Sequence, residues 1–209
     1  MYLNIIINDN EVHIKGVSKV EFVQPIRDEK QIEAMKKILK AGNLRDYCLF
    51  TLGINSGLRI GDLLNLTIAD VVDEKGKIKD RITKFREQKT GKAKNFPLGD
   101  TSKKALGEYF KARKDVAPGK PLFPSRKGGN PISRVQAYRI LNGAARTVGI
   151  KDEIGTHSLR KTFGYWAYKQ ARDITIVQKL LNHSAPSVTM AYIGITQDDE
   201  DKVVLSLNL

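Results

Sequence analysis

The chain is poor in the residues that build disulfides and thiolate metal sites. Its one cysteine, Cys48, lies in the apolar stretch YCLFTLGI, where it has no partner for an internal bridge and cannot form a cysteine-based zinc cluster. Long apolar runs are missing as well. None approaches the roughly 18 to 20 residues that a spanning helix needs, so no membrane role is expected. The start, MYLNIIINDN, has neither a basic n-region nor a small-residue cleavage site, and the expectation is a soluble, cytoplasmic protein. There is no internal repeat and no long linker, so no second full domain is expected, and there is no P-loop and no acidic metal cluster; the expected cofactor is none. Acidic residues are scarce: 23 Asp and Glu stand against 36 Lys and Arg, a net charge of +13.

What is present is the composition of an ordinary folded protein, 41% hydrophobic and 28% charged over 209 residues, enough for one sizeable domain with its own core. Excess positive charge on such a domain points to a polyanionic partner, with nucleic acid before an anionic membrane.

Residues 1–24 read as a small hairpin or an ordered leader, from the β-branched runs NIIIND and EVHIKGV around an Asn/Asp turn. The main domain is expected over residues 25–196, with a C-terminal tail at 197–209. Asp28 can cap a helix through KQIEAMKKILKA that Gly42 stops, and an all-round apolar helix follows from Leu44 to about Asn55. Ser56-Gly57 breaks it, and a short helix runs through IGDLLNL. Residues 68–98 alternate with period two around Lys75-Gly76 and Thr90-Gly91, which predicts a three-stranded antiparallel meander. Between Lys75 and Lys94 lie nine Lys or Arg and two acids, Asp80 and Glu87. An edge sheet can carry such a run, but its density favours a phosphate-facing surface. Helical texture returns after Asp100, from Ser133 to about Val148, from about His157 to Ala171 and in shorter pieces to the end. The fold class is therefore mainly α with a small three-stranded antiparallel sheet (α+β).

Four stretches carry chemistry. In Gly155-Thr-His157-Ser-Leu-Arg160-Lys161-Thr-Phe163, His157 and Arg160 share a helix face with Gly164, while Leu159, Phe163, Trp166 and Ala167 form the core-facing stripe. A bulky anion could approach such a face closely. Alone, H-x-x-R is a chance pair on an amphipathic helix. In Leu181-Asn-His183-Ser-Ala-Pro-Ser-Val-Thr189-Met-Ala-Tyr192, Ser184 or Ser187 can start a helix that carries Tyr192. Alone, Tyr192 is a half-buried core tyrosine. Arg59, with Asp62 three residues on, would alone be a helix-start salt bridge, and Lys89 in Gln88-Lys89-Thr-Gly-Lys92 a solvated turn.

Taken together, in this order and spacing, the four stretches resemble the tyrosine recombinase (phage integrase) family, whose pattern is Arg, Lys, His-x-x-Arg, His or Trp, then Tyr. Arg59 in GLRIGDLLNL fills the first position and Lys89 in QKTGKAKNFPL the second. His157 and Arg160 in THSLRKTF, His183 in LLNHSAPSVTMAY and Tyr192 fill the others. Two of the three histidines of the chain fall in the two slots that take one. The resemblance covers about residues 25–195. It departs from the pattern at Asp62, where family members often carry Glu, and at the N-terminus, where residues 1–24 are too short for a helical core-binding domain. The chain looks either like an excised catalytic domain or like the short fimbrial-switch invertases.

The resemblance implies the catalytic-domain fold of the family and a reaction on double-stranded DNA: site-specific recombination through a 3′-phosphotyrosine intermediate, without ATP or metal. It gives Tyr192 the role of nucleophile and makes Arg59 and Arg160 a clamp on the scissile phosphate. His157 and His183 would add hydrogen bonds, His157 being the better placed to shuttle the tyrosine proton, and Lys89 would protonate the 5′ leaving oxygen. The arginines should favour phenolate over the free tyrosine pKa near 10. Lys84, Arg86, Lys92, Lys94 and Lys161 are candidate DNA contacts. The resemblance further implies a homo-oligomer on DNA, a tetramer, coupled through the tail. Type IB topoisomerases share this chemistry, and an inactive DNA-binding protein could share the fold. The short chain and NHSAPSVTMAY favour a recombinase over the first, and the complete motif argues against the second.

Overall fold

The structure, a computed structural model, describes residues 5–8, 11–14, 23–86, 91, 93–126, 128–195 and 197–207; for 5–8, 11–14, 84–86, 93–94, 197–198, 200 and 202–203 only the backbone is described. Strands β1 (Ile5–Asn8) and β2 (Glu11–Ile14) pair antiparallel, Ile5 opposite Ile14. Helix α1 (Glu29–Gly42) starts where the Asp28 carboxylate accepts from the Lys30 amide at 2.8 Å, as expected of an N-cap. Asn43 ends α1 and caps α2 (Leu44–Ser56) through its side chain.

Helix α2 is the centre of the core. Its Cys48, Leu49, Phe50 and Leu52 are fully buried, and it packs against α1, α5 (Asp100–Ala112) and α7 (Thr156–Ala171). The all-round apolarity of YCLFTLGI requires such a central position. Between α2 and α5 come α3 (Ile60–Leu64), α4 (Ile68–Val71) and a two-stranded antiparallel sheet of β3 (Arg81–Arg86) and β4 (Ala93–Pro97), in which Arg81 faces Pro97 and a bulge separates Ile82 from Phe85. Helix α6 (Arg134–Thr147) precedes α7, and α8 (Ile174–Leu181), α9 (Pro186–Ile193) and α10 (Gln197–Leu207) close the chain.

The expected three-stranded meander is a two-stranded sheet among the described residues. Residues 68–71 are helical because Thr67 and Asp70 form a capping box: the Asp70 carboxylate accepts from the Thr67 amide at 2.7 Å. Of a first strand only one bridge remains, Val72 to Ile78. Period-two alternation over four residues does not outweigh a cap that satisfies the backbone locally. One helix start also differs. Helix α9 begins at Pro186 with Ala185 as its cap, so neither Ser184 nor Ser187 caps it, and Pro at the first helical position loses no hydrogen bond there.

A second, smaller apolar cluster lies apart from the core. Val177, Leu181 and Ile193 are fully buried in it, with Phe163, Tyr165 and Tyr168 of α7 packed alongside. Helix α9 seats on α7 at Gly164, where a Cβ would come within 2.6 Å of Ile193. Gly164 is thus a helix-packing contact, and its face does not stand open to an approaching anion as the sequence pattern suggested.

Gly57 ends α2 in the left-handed conformation (φ +62°), and a Cβ there would lie 2.3 Å from the Phe163 ring. Gly149 is also left-handed (φ +80°), but a Cβ there meets nothing within 4 Å. Gly57→Ala should therefore cost roughly 2–4 kcal/mol, backbone strain plus overpacking, against about 1 kcal/mol of strain for Gly149→Ala. Thermal unfolding reads the difference at roughly 2–4 °C per kcal/mol for a chain of this size. Equal losses would mean that the Phe163 ring yields freely.

Candidate active site

The turn after α2 brings the first of the site residues into place. With Gly57 left-handed, the chain reverses and Arg59 becomes the N-cap of α3, half-buried, with Asp62 buried in the first turn of that helix. Arg160 reaches the same turn from α7. Its side chain is almost wholly buried, and Nη1 donates to the Gly57 carbonyl at 2.5 Å. Nη2 donates to the Leu181 carbonyl at the end of α8. One guanidinium therefore joins the α2–α3 turn, α7 and the end of α8. Its burial corrects the expectation that His157 and Arg160 both face outward. His157 is exposed in the first turn of α7, while Arg160, one turn on, lies beneath the surface formed by α8 and α9.

His183 follows the left-handed cap Asn182 (φ +52°). Its amide donates to the Gln178 carbonyl at 3.1 Å, and the Gln178 side chain donates back to the His183 carbonyl at 3.1 Å. The ring Nδ1 lies 3.1 Å from Thr189 Oγ1, whose hydroxyl donates to the Ala185 carbonyl at 3.2 Å. With that hydroxyl proton directed at the carbonyl, Thr189 Oγ1 can accept from Nδ1–H, the tautomer that would leave Nε2 as the ring's acceptor.

Tyr192, one residue before the end of α9, is half-buried with its ring edge-on to His183, centroids 4.9 Å apart. The Lys161 ammonium lies 5.4 Å from its ring centroid. Arg160 and Arg59 both lie close enough to the Tyr192 hydroxyl to act on it. The phenol pKa is nevertheless raised. Burial is the largest influence, opposed by Arg160, through charge and polar attraction, and by the charge of Arg59. The expectation that the arginines would favour phenolate thus holds for their own contribution and fails for the sum, because desolvation penalises the charged form.

Of the six sequence-predicted site residues, Arg59, Arg160 and Tyr192 come together, and His183 touches the tyrosine ring. His157 stands one helical turn from Arg160 at the exposed end. Lys89 lies outside the described residues, as does Lys92. Lys84 and Arg86 are in β3 and Lys94 in β4, with only their backbones described. Lys161, a candidate DNA contact, lies over the Tyr192 ring, half-buried, with its pKa lowered by burial and then by the Arg27 charge.

Sequence reasoning missed Arg27, Gln178 and Thr189. Arg27 precedes the first helix, in PIRD, and its long-range contacts leave no trace in local spacing. Thr189 falls on the His183 side of α9, where a helical wheel could have paired it with the loop. Among the described residues no group of His, Cys, Asp and Glu could hold a metal ion, and no helix is long and apolar enough to cross a membrane.

A model described as the phage integrase family matches residues 26–198. The chain is 46% identical over 179 residues to "Probable integrase/recombinase YoeC" of Bacillus subtilis, an alignment covering 86% of this chain and 93% of that protein. It is 29% identical over 181 residues to tyrosine recombinase XerA of Pyrococcus furiosus, covering 87% of this chain and 61% of the relative. This chain thus spans less than two thirds of XerA. A crystal structure of XerA recombinase superposes with a TM-score of 0.69 at 21% identity, over 90% of this chain and 67% of that one; at that identity it speaks for the fold alone.

The raised phenol pKa has a measurable consequence. The ultraviolet difference between wild type and Tyr192→Phe should titrate above the free tyrosine value near 10. Because the folded-state pKa is the higher one, the associated stability is present below the unfolded value and is lost as pH climbs through the folded value. A Tyr192 signal titrating below pH 10 would contradict the dominance of burial.

Proposed function

This chain belongs to the phage integrase family, the tyrosine recombinases, and on that premise we propose that it cuts and rejoins double-stranded DNA through a covalent bond between Tyr192 and a 3′-phosphate. The observation that supports this best is the Tyr192 hydroxyl lying within the influence of both the buried Arg160 and Arg59, with the His183 ring against that of Tyr192. A phosphodiester resists nucleophiles because its charge repels them, so catalysis consists mostly of charge neutralisation and positioning. Two guanidinium groups on one side of a tyrosine oxygen supply both, and each can present parallel donors to phosphate oxygens.

In this reading Tyr192 Oη attacks the phosphorus, the bond to the 5′ oxygen breaks, and that oxygen leaves as a hydroxyl. Lys89 provides the leaving proton. The 3′-phosphotyrosine stores the bond energy, so a 5′ hydroxyl from another duplex reverses the step without ATP or metal. Since burial keeps Tyr192 protonated at neutral pH, its proton must go to a base as attack occurs. The accepting Nε2 of His183, with Nδ1–H fixed by Thr189, is one candidate, and the exposed His157 the other. Lys84, Arg86, Lys92 and Lys94 would follow the phosphate backbone from the basic hairpin. Residues 25–196 form the catalytic domain in this reading, and 1–24 a leader before it.

Nicked suicide duplexes selected from a random-sequence pool by covalent capture test this directly. Wild type should form a denaturation-resistant DNA–protein band. Tyr192→Phe should abolish it with binding nearly intact, and Arg59→Ala should slow it on the order of 10²-fold or more. Covalent product from Tyr192→Phe would sink the nucleophile assignment, and relaxation of supercoils without exchange between two sites would indicate a topoisomerase.

We also propose that the chain acts as an oligomer on DNA, a tetramer, coupled through α10. Val204, Leu205 and Leu207 on that helix are 67%, 73% and 57% exposed, an apolar surface that burial in a neighbouring copy would stabilise. Deleting 197–209 should leave cleavage at a single site intact while impairing exchange between two sites. Loss of the fold on deletion would assign the tail to its own core.

A further inference from the structure

We propose that Arg27 is a positioning residue that fixes the end of the Tyr192 helix for attack. The inference rests on the reading of Tyr192 as nucleophile. Helix α9 is only eight residues long, and Tyr192 is the seventh. Just past it Gly194 turns left-handed (φ +74°), and its carbonyl accepts from Arg27 Nη2 at 3.2 Å. A cation at the carbonyl end of a helix is favourably placed, both by hydrogen bond and by dipole. The fit requires glycine: a Cβ at 194 would lie 2.5 Å from Arg27 Nη2 and push the guanidinium away.

Arg27 is itself held. The residue before it, Ile26, is buried, its amide donating to Thr162 Oγ1 at 2.9 Å and its carbonyl accepting from Trp166 Nε1 at 3.0 Å. The Arg27 guanidinium lies over the Tyr165 ring at 5.7 Å, with the Lys169 ammonium also against that ring at 5.6 Å. The Gln24 side chain accepts from Nη2 at 3.4 Å, and the Gln24 amide donates to the Glu153 carbonyl at 3.0 Å. The stretch from Gln24 to Arg27 is thus a strap bound along α7 whose last side chain reaches the loop behind the nucleophile. Without it, the end of α9 would keep the small cluster around Ile193 and the ring contacts of Tyr192 with His183 and Lys161.

Arg27→Met removes the donor and the charge while keeping an apolar stem over Tyr165; Arg27→Lys keeps a donor. Hydrogen exchange of the whole chain should show faster exchange at the Gly194 and Ile195 amides in Arg27→Met, with α5 and α6 unchanged. Single-turnover cleavage of the captured suicide duplex at saturating DNA should fall roughly 10- to 100-fold, the effect of misplacing a nucleophile. Affinity for DNA should stay put, and Arg27→Lys should recover part of both losses. Arg27 is exposed, and a phosphate contact would look different: weaker binding, a salt slope smaller by about one, and an unchanged saturated rate. That pattern overturns the proposal, as does unchanged exchange and rate, or global loss of the fold in Arg27→Met. If Tyr192→Phe still forms the covalent band, the nucleophile reading fails, while the exchange measurement still reports whether Arg27 holds α9.

Discussion

The Arg160 guanidinium is the point on which the site depends. Its two carbonyl acceptors come from segments more than 20 and more than 100 residues away in sequence, and the same side chain meets the Tyr192 hydroxyl. A buried cation is costly unless several partners satisfy it, so the surrounding geometry is constrained. The Gly57 carbonyl must point at it, which requires the left-handed turn, and α8 must end where Leu181 can accept. These demands place Arg59 beside Arg160 and bring α9 across α7. Bound this way before DNA arrives, the guanidinium needs little reorganisation to meet a phosphate, the condition under which electrostatic catalysis is strongest.

Under the proposed reading, the same arrangement leaves Tyr192, the candidate nucleophile, protonated at rest. Two arginines pull the Tyr192 pKa down and burial pushes it further up. A phosphate entering the clamp would offset the arginine charge and leave burial less opposed. Ionisation ahead of attack therefore gains nothing from substrate binding, and proton transfer has to accompany bond formation. The cost is a slower chemical step, and the benefit is a tyrosine inert toward adventitious electrophiles until a base and a phosphate are both in line.

Much of this was legible in the residues. The apolar run 47–54 dictated a central helix, Asp28 and Gly42 bounded α1, and the spacing of His157, Arg160, His183 and Tyr192 carried the family resemblance. What stayed hidden depends on partners far away in sequence. Whether Arg160 faces solvent or carbonyls is decided by α2 and α8, and Gly164 reads as open space until Ile193 occupies it. That Lys161 lies against the tyrosine ring could not be read from local spacing. The strand expected at 68–71 failed for a local reason, a Thr67–Asp70 cap that four alternating residues could not outweigh.

The division of the interior into two clusters bears on how the site moves. The main core runs through α2 and holds Arg59 and the first half of α7, whereas α9 rests on a cluster with only Val177, Leu181 and Ile193 fully buried. Apolar area sets how much free energy must be given up to open an element, so α9 is released far more easily than α2 or α7. Polar contacts then decide whether Tyr192 stays. The Thr189 contact to His183 holds the loop before the tyrosine, and Arg160 and Arg59 act on its hydroxyl by charge. In the proposed reaction the clamp would be rigid where it receives charge and weakly held where it delivers the nucleophile, a separation that follows from which helix packs on the larger core.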